Sequence, residues 1–124
     1  MIVGIGTDIV NIERIKHIFE KFGDDFVQKN FHALEIAQFS TLAQVAKLGY
    51  LAKRFAAKEA MAKAIGVGIG RGIAFKDIAV VNDESGAPKI LISPEIYPDI
   101  NKYNVQVSLS DDQPFAVAFV IMSK

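Results

Sequence analysis

The pattern of apolar and polar positions predicts helices in the first half of the chain and strands mostly in the second. Apolar residues three and four apart predict a helix capped by Asn11 and ending near Phe22, one or two short helices within 24–42, and a long helix at about 45–65. Short apolar or alternating runs predict strands at 2–8, 77–82, 89–93, 105–110 and 115–122. Because the helices precede most strands without regular alternation, we expect an α+β fold, with helices packed on a small, mainly antiparallel sheet.

The first helix divides into three faces. One stripe is apolar and is predicted to face the core: Ile12, Ile15, Phe19 and Phe22. A second arc collects most of the basic groups: Arg14, His17, Ile18 and Lys21. The acidic residues occupy the third arc, so this helix presents a cationic face that is separate from its acids.

Residue totals narrow the possible functions. A chain of 124 residues without repeats or linkers predicts one domain, 1–124. Fourteen basic and fourteen acidic residues cancel, so no overall field favours nucleic acid or an anionic membrane. No cysteine is present, which excludes thiolate chemistry, and no apolar run approaches the ~20 residues that cross a bilayer. We therefore expect a cytoplasmic protein. The apolar share of 51% indicates either burial between subunits or a well-filled core.

The long helix carries charges in unusual places, within R-F-A-A-K-E-A-M-A-K-A-I-G. At about 100° per residue, Arg54 and Lys58 fall inside the arc of large apolar side chains. Glu59 and Lys63, one turn apart, fall among alanines. A simple ion pair between them would contribute only ~0.3–0.5 kcal/mol. We favour a ligand site, because small neighbouring side chains let a ligand approach the helix closely.

Asp8 at the end of the first strand is the second candidate carboxylate, although capping of the next helix is an alternative role for it. Two carboxylates from different elements, without a His or Cys cluster, suit Mg²⁺, which completes its shell with water and phosphate oxygens. Arg54, Lys58 and Lys63 supply positive charge for phosphates. The segment G-V-G-I-G-R-G can present backbone N–H groups to an anion, but no G-K-[ST] follows, so it is not a P-loop.

Four motifs in order resemble one family: G-I-G-T-D, R-F-A-A-K-E-A, K-A-I-G-V-G-I-G-R-G and V-S-L-S. The chain is similar over essentially its whole length to the short bacterial phosphopantetheinyl transferases, the holo-[acyl-carrier-protein] synthases. That resemblance implies the phosphopantetheinyl transferase fold. It also implies transfer of the 4'-phosphopantetheine arm of coenzyme A to a serine of an acyl carrier protein, in support of fatty acid biosynthesis. Adenosine 3',5'-bisphosphate leaves, and Mg²⁺ is required.

The resemblance also implies roles for particular residues. Asp8 and Glu59 match the metal carboxylates, and Lys63 matches a catalytic lysine on the transferred phosphate. Our candidate general base is Glu59, acting through a water on the metal. The positions that match coenzyme A and phosphate contacts are Arg54, Lys58, Lys63, Gly66, Ser110 and Asp111.

Assembly and partner binding follow from the same resemblance. Family members are homotrimers with sites between subunits, and their acidic carrier protein docks on the first helix. The matching docking residues are Arg14, His17, Ile18 and Lys21.

Asp111 departs from the family pattern, because many members have histidine there. An acid beside a pyrophosphate needs a neutralising partner, so we expect Asp111 to face the metal or a neighbouring Lys or Arg. Its alternative role is to cap the turn into the last strand.

Two other functions stay open on the sequence alone. A non-catalytic trimeric module that binds a nucleotide or an acidic partner would keep the fold and the basic helix. A metal-dependent phosphohydrolase would release phosphopantetheine without modifying a carrier protein.

Overall fold

The computed structural model describes residues 1–124 as five strands and four α-helices. The strands are β1 (Ile2–Asn11), β2 (Ile78–Asn82), β3 (Pro88–Ile92), β4 (Asn104–Asp112) and β5 (Phe115–Ser123). The helices are α1 (Ile12–Phe22), α2 (Asp24–Asn30), α3 (Ala33–Thr41) and α4 (Gln44–Ile65). The predicted α+β class and the predicted elements are confirmed, with most boundaries within one to three residues. None of the helices is long and apolar enough to span a membrane.

The strands form two antiparallel sheets rather than the single small sheet that the sequence predicted. One sheet has the order β1-β5-β4, and β2 and β3 form a separate hairpin. The hairpin closes locally, because the Asp83 carboxylate accepts hydrogen bonds from the backbone N–H groups of Ser85 and Ala87.

Helix α4 packs on the three-stranded sheet and forms the centre of the core. Alternate residues of β5 are buried beneath it: Ala116, Ala118, Val120 and Met122. The intervening side chains, Phe115, Val117 and Phe119, lie exposed on the opposite face. This alternation is the period-two pattern of a strand with one buried face. The packed sheet face meets a helix of which twelve residues are buried.

Two glycines of β1 allow its backbone to approach α4 closely. A methyl group added at Gly6 would overlap the Ala60 carbonyl and lie 2.9 Å from the Ala64 nitrogen. One added at Gly4 would overlap the Ala64 carbonyl. The motif G-I-G therefore meets the alanines of α4 without any side chain between the two backbones.

Helix α1 begins as predicted, with the Asn11 side chain accepting from the Glu13 N–H at 3.0 Å, and Gly23 follows its last turn. Its predicted core stripe is partly wrong. Ile12 and Ile15 are buried, but Phe22 is 54% exposed. Phe22 is the last residue of α1, directly before the chain turns into α2.

Replacement of Gly6 by Ala is expected to lower the free energy of unfolding by about 3 kcal/mol, the upper part of the range for overpacking, because the clash is with backbone. Gly68→Ala is the matched control: it lies outside the left-handed region, nothing lies within 4 Å of an added methyl, and the change should be within ~0.5 kcal/mol. Urea denaturation measures both. Equal stability of the two variants would contradict the close contact.

Candidate metal and phosphate site

Asp8, Glu59 and Lys63 come together where β1 crosses α4. Lys63 Nζ lies 3.3 Å from Asp8 Oδ1 and donates to the Thr7 carbonyl at 2.9 Å. The Asp8 side chain is mostly buried, whereas that of Lys63 is 55% exposed. Asp8 does not cap α1, because β1 continues to Asn11 and Asn11 is the cap. The carboxylate is therefore free of a capping role and points toward α4.

Glu59 is half-buried and forms no ion pair. The pair between Glu59 and Lys63 that would have explained both residues is not formed, since Lys63 contacts Asp8 instead. Burial raises the pKa of the Glu59 carboxyl, and the nearby Asp8 charge raises it further, while Lys63 and Arg14 oppose the shift. The fold thus places Glu59 near Asp8, and Glu59 has no ion-pair partner of its own.

This donor set suits a hard divalent cation. Two carboxylates on separate elements lie close enough for the charge of one to act on the other, and the cations beside them are Lys63, which contacts Asp8, and Arg14. Mg²⁺ is commonly held by one or two carboxylates together with water and phosphate oxygens. A cation held by Asp8 and Glu59 would offset the Asp8 charge, which adds to the effect of burial in raising the Glu59 pKa. The residues present therefore fit Mg²⁺.

Lys58 is not available to a phosphate, so that prediction is wrong for this fold. Its side chain is fully buried, and its Nζ lies 2.5 Å from Glu35 Oε1. It also donates to the carbonyls of Phe75 and Ile78. Burial lowers the pKa of Lys58, and the Glu35 carboxylate opposes that shift. Sequence reasoning missed Glu35; the cation in the apolar arc of α4 was the only signal that a buried acid must exist.

Arg54 is also almost entirely buried, but it borders a cavity. Its guanidinium lies 4.1 Å from the Tyr50 ring centre and donates to Asn82 Oδ1 at 3.1 Å. Its Nε has no hydrogen-bond partner. The cavity, of about 500 Å³, is also lined by Lys16 and Lys53. The predicted phosphate contact of Arg54 therefore stays a prediction, with an open cavity beside it.

Asp111 is paired with a lysine, one of the arrangements expected for it. Asp111 Oδ1 lies 3.3 Å from Lys53 Nζ, across the cavity wall between β4 and α4. A methyl group added at Gly49, one turn earlier on α4, would lie at an ordinary contact distance of 3.9 Å from Asp111 Oδ2. The pair is partly exposed, and such pairs contribute about 0–1 kcal/mol. Asp111 is therefore neutralised by this chain itself, without any need for the metal.

Two further predicted phosphate contacts are placed differently. Ser110 is exposed on the sheet face opposite Asp111, because successive strand residues point to opposite faces. Gly66 ends α4 in the left-handed conformation, with φ of 93°. Its N–H is bonded to the carbonyls of Ala62 and Lys63, so it is not free to bind a phosphate.

The basic arc of α1 lies on the surface near these acids. Arg14, His17 and Lys21 are exposed and Ile18 is half-buried. The Arg14 charge lowers the pKa of Glu59, so the arc reaches the acidic pair at one end.

A family model described as the 4'-phosphopantetheinyl transferase superfamily matches residues 4–120. The chain belongs to this superfamily. It is 43% identical, over 98% of both chains, to a holo-[acyl-carrier-protein] synthase of Anaplasma marginale (strain Florida).

Solved structures of superfamily members share the fold over the whole chain. The holo-[acyl-carrier-protein] synthase of Neisseria meningitidis matches with a TM-score of 0.89 and 38% identity, covering 100% of both chains. That of Bacillus anthracis str. Ames, solved in complex with CoA (3',5'-ADP), matches with a TM-score of 0.84 and 38% identity over 98% of this chain and 96% of its own. That of Helicobacter pylori, in complex with coenzyme A, matches with a TM-score of 0.83 and 35% identity over 96% of this chain and 99% of its own.

Glu59→Gln is expected to raise the melting temperature at pH 8 by a few degrees when a chelator is present. The folded-state pKa of Glu59 is raised, so its ionised form costs stability above that pKa, and Gln removes the cost. As pH falls through the raised pKa toward the ordinary value of 4.5, the advantage should vanish. Melting curves followed by circular dichroism across this range measure the difference. A variant less stable than the parent at pH 8 would contradict the shift.

Proposed function

We propose that this protein transfers the 4'-phosphopantetheine arm of coenzyme A to a serine of an apo-acyl carrier protein, as a Mg²⁺-dependent holo-[acyl-carrier-protein] synthase. The observation that carries the proposal is the meeting of Asp8, Glu59 and Lys63 in a chain of this superfamily. The relatives named as holo-[acyl-carrier-protein] synthases, two of them solved with coenzyme A or its 3',5'-ADP part, support the substrate.

Each residue of the site has a distinct part in this reaction. Asp8 and Glu59 would hold Mg²⁺, which when bound neutralises charge on the phosphates. The serine hydroxyl oxygen bonds to the β-phosphorus, and the phosphorus–oxygen bond to adenosine 3',5'-bisphosphate breaks. Lys63 is long and exposed enough to donate from Nζ to the pyrophosphate oxygens as charge moves to the leaving group. Glu59 is our candidate for the group that takes up the serine proton.

The cavity beside Arg54 is our proposed place for part of coenzyme A. Lys16, Lys53 and Arg54 give this cavity three cations, against the acids Glu13 and Asp111. The unpartnered Nε of Arg54 supplies a buried donor at its wall. Lys58 has no part in this binding, because its three donors are already used within the core.

The exposed basic arc of α1 supports docking of an acidic carrier protein. Arg14, His17 and Lys21 offer positive charge around the half-buried Ile18. An acidic partner would be steered there by charge, since the chain as a whole has no net charge. Docking beside Arg14 would bring the partner close to Glu59.

The bare face of the three-stranded sheet supports assembly into a homotrimer. Ile5, Ile9, Val117 and Phe119 are all exposed on it. A monomer seldom leaves so many large apolar groups on one face without a partner. Further copies of the same chain would cover the face, as the family resemblance implies. Action in the cytoplasm and in fatty acid biosynthesis completes the proposal.

Intact-mass spectrometry of an apo-carrier protein tests this function. The carrier should gain one phosphopantetheine arm only when the enzyme, coenzyme A and Mg²⁺ are all present. Asp8→Asn should slow the transfer by at least ~10²-fold, because charge stabilisation at the phosphates is lost. The exposed Asp112 makes no hydrogen bond or ion pair, so Asp112→Asn is the matched control and should keep full activity.

The same assay separates the rival functions. Release of phosphopantetheine with an unmodified carrier would identify a phosphohydrolase. Binding of coenzyme A without a modified carrier and without released phosphopantetheine would identify a non-catalytic binding module. Near-normal transfer by Asp8→Asn at moderate Mg²⁺ would reject the metal assignment.

A further inference from the structure

The buried ion pair between Glu35 and Lys58 joins three separate parts of the fold. Glu35 lies on α3 and Lys58 on α4, and the remaining partners lie on the segment from Phe75 to Val80. Lys58 Nζ donates to Glu35 Oε1 and to the carbonyls of Phe75 and Ile78. All three ammonium donors are thereby used.

The Glu35 carboxylate is equally well satisfied. Besides Lys58, its Oε1 accepts from the His32 N–H at 2.9 Å, and its Oε2 accepts from the Val80 N–H at 3.2 Å. Both charged side chains are fully enclosed. A buried polar network with every member paired rigidifies its surroundings, whereas a partly paired one is costly.

Helix α4 is buried on all sides, with its large apolar side chains on one arc and alanines on the other. Six of its twelve buried residues are alanine: Ala52, Ala56, Ala57, Ala60, Ala62 and Ala64. The hydrophobic effect is non-directional, so burial of these side chains does not by itself define the rotation of the helix to within a few degrees. Hydrogen bonds to fixed acceptors do.

Lys58 is placed where it fixes this rotation. At about 100° per residue, Lys58 lies about 160° around α4 from Ala60, the residue that contacts β1. Glu59 lies between the two, about 100° from each. The contact with Gly6 sets the distance between β1 and α4, and the network holds the opposite side of the helix.

A small roll of α4 would misplace the acidic pair. A rotation of about 20° moves a group about 6 Å from the helix axis by about 2 Å. Catalytic groups must be held within about 0.5 Å, and an error of about 1 Å can cost ~10²-fold in rate. The orientation of Glu59 toward Asp8 is therefore sensitive to whatever holds α4 in rotation.

We propose that Glu35 and Lys58 are positioning residues that hold α4 so that Glu59 faces Asp8. The proposal rests on the proposed function for its kinetic consequences, but not for its effect on the geometry of the two acids. Neither residue touches substrate or metal. Both act through the orientation of Glu59.

The test is the double variant Glu35→Gln, Lys58→Met. It removes both charges together, so no buried charge is left without its partner. The glutamine oxygen keeps an acceptor for one of the two backbone N–H groups, that of His32 or that of Val80, and its amide group offers donors to a carbonyl that Lys58 vacates. Ile92→Ala, a core truncation in the separate hairpin, is the control for general loss of stability. All proteins are compared well below the lowest melting temperature, so that each is folded.

Two readouts are followed. Binding of Mn²⁺, measured by titration without coenzyme A, should weaken about tenfold in the double variant, the lower end of losses from second-layer changes around a metal. The kcat for transfer should fall by at least about tenfold while KM for coenzyme A stays within about twofold, because orientation rather than binding is lost. The Ile92→Ala control should show neither change.

The outcomes separate the positioning role from the proposed function. Mn²⁺ affinity equal to that of the parent, or an equal loss in Ile92→Ala, would overturn the positioning role. A parent that binds Mn²⁺ but transfers nothing would overturn the proposed function, and a weaker Mn²⁺ affinity in the variant would then still support positioning. If the double variant does not fold, Glu35→Gln alone is tested under the same readouts, because it removes one of the two acceptor oxygens of the network; an unchanged Mn²⁺ affinity would then overturn the positioning role.

Discussion

The close contact between the backbones of β1 and α4 is the constraint on which the rest of the structure depends. It exists because Gly4 and Gly6 have no side chains and face the alanines of α4. Any larger residue would hold the two elements apart. The contact places Asp8, two residues after the second glycine, beside the acidic position of the helix. One short motif thus both packs the core and brings a carboxylate to the candidate site.

The charged side chains of α4 form two groups, one buried in the core and one close to the surface. Lys58 is enclosed with Glu35 and stabilises the arrangement of the fold. Glu59 and Lys63 reach the surface, where one acid has no partner and the ammonium is shared with Asp8. Buried ion pairs contribute little net stability compared with apolar replacements. The main effect of this pair is therefore to orient the elements that it joins. The buried part of the helix thereby supports the part that we propose to meet substrate.

The sequence predicted the elements well, because period and turn residues are local properties. Asn11 and Gly66 cap their helices as expected. The sequence also identified Asp8 and Glu59, which the fold brings together. It assigned Lys58 wrongly, because a cation in an apolar arc is equally consistent with a ligand contact and with a buried partner on another element. Such a partner depends on tertiary packing, which no local pattern of α3 reveals.

The most direct test of the account is a crystal structure of the protein with Mn²⁺ and coenzyme A, using anomalous scattering to locate the metal. The account predicts a Mn²⁺ peak bound by carboxylate oxygens of both Asp8 and Glu59, at the distances of about 2.0–2.3 Å that hard divalent cations adopt. It also predicts that Lys63 Nζ contacts a phosphate oxygen. A metal peak held by other residues, or a coenzyme A whose phosphates lie away from Lys63, would contradict it.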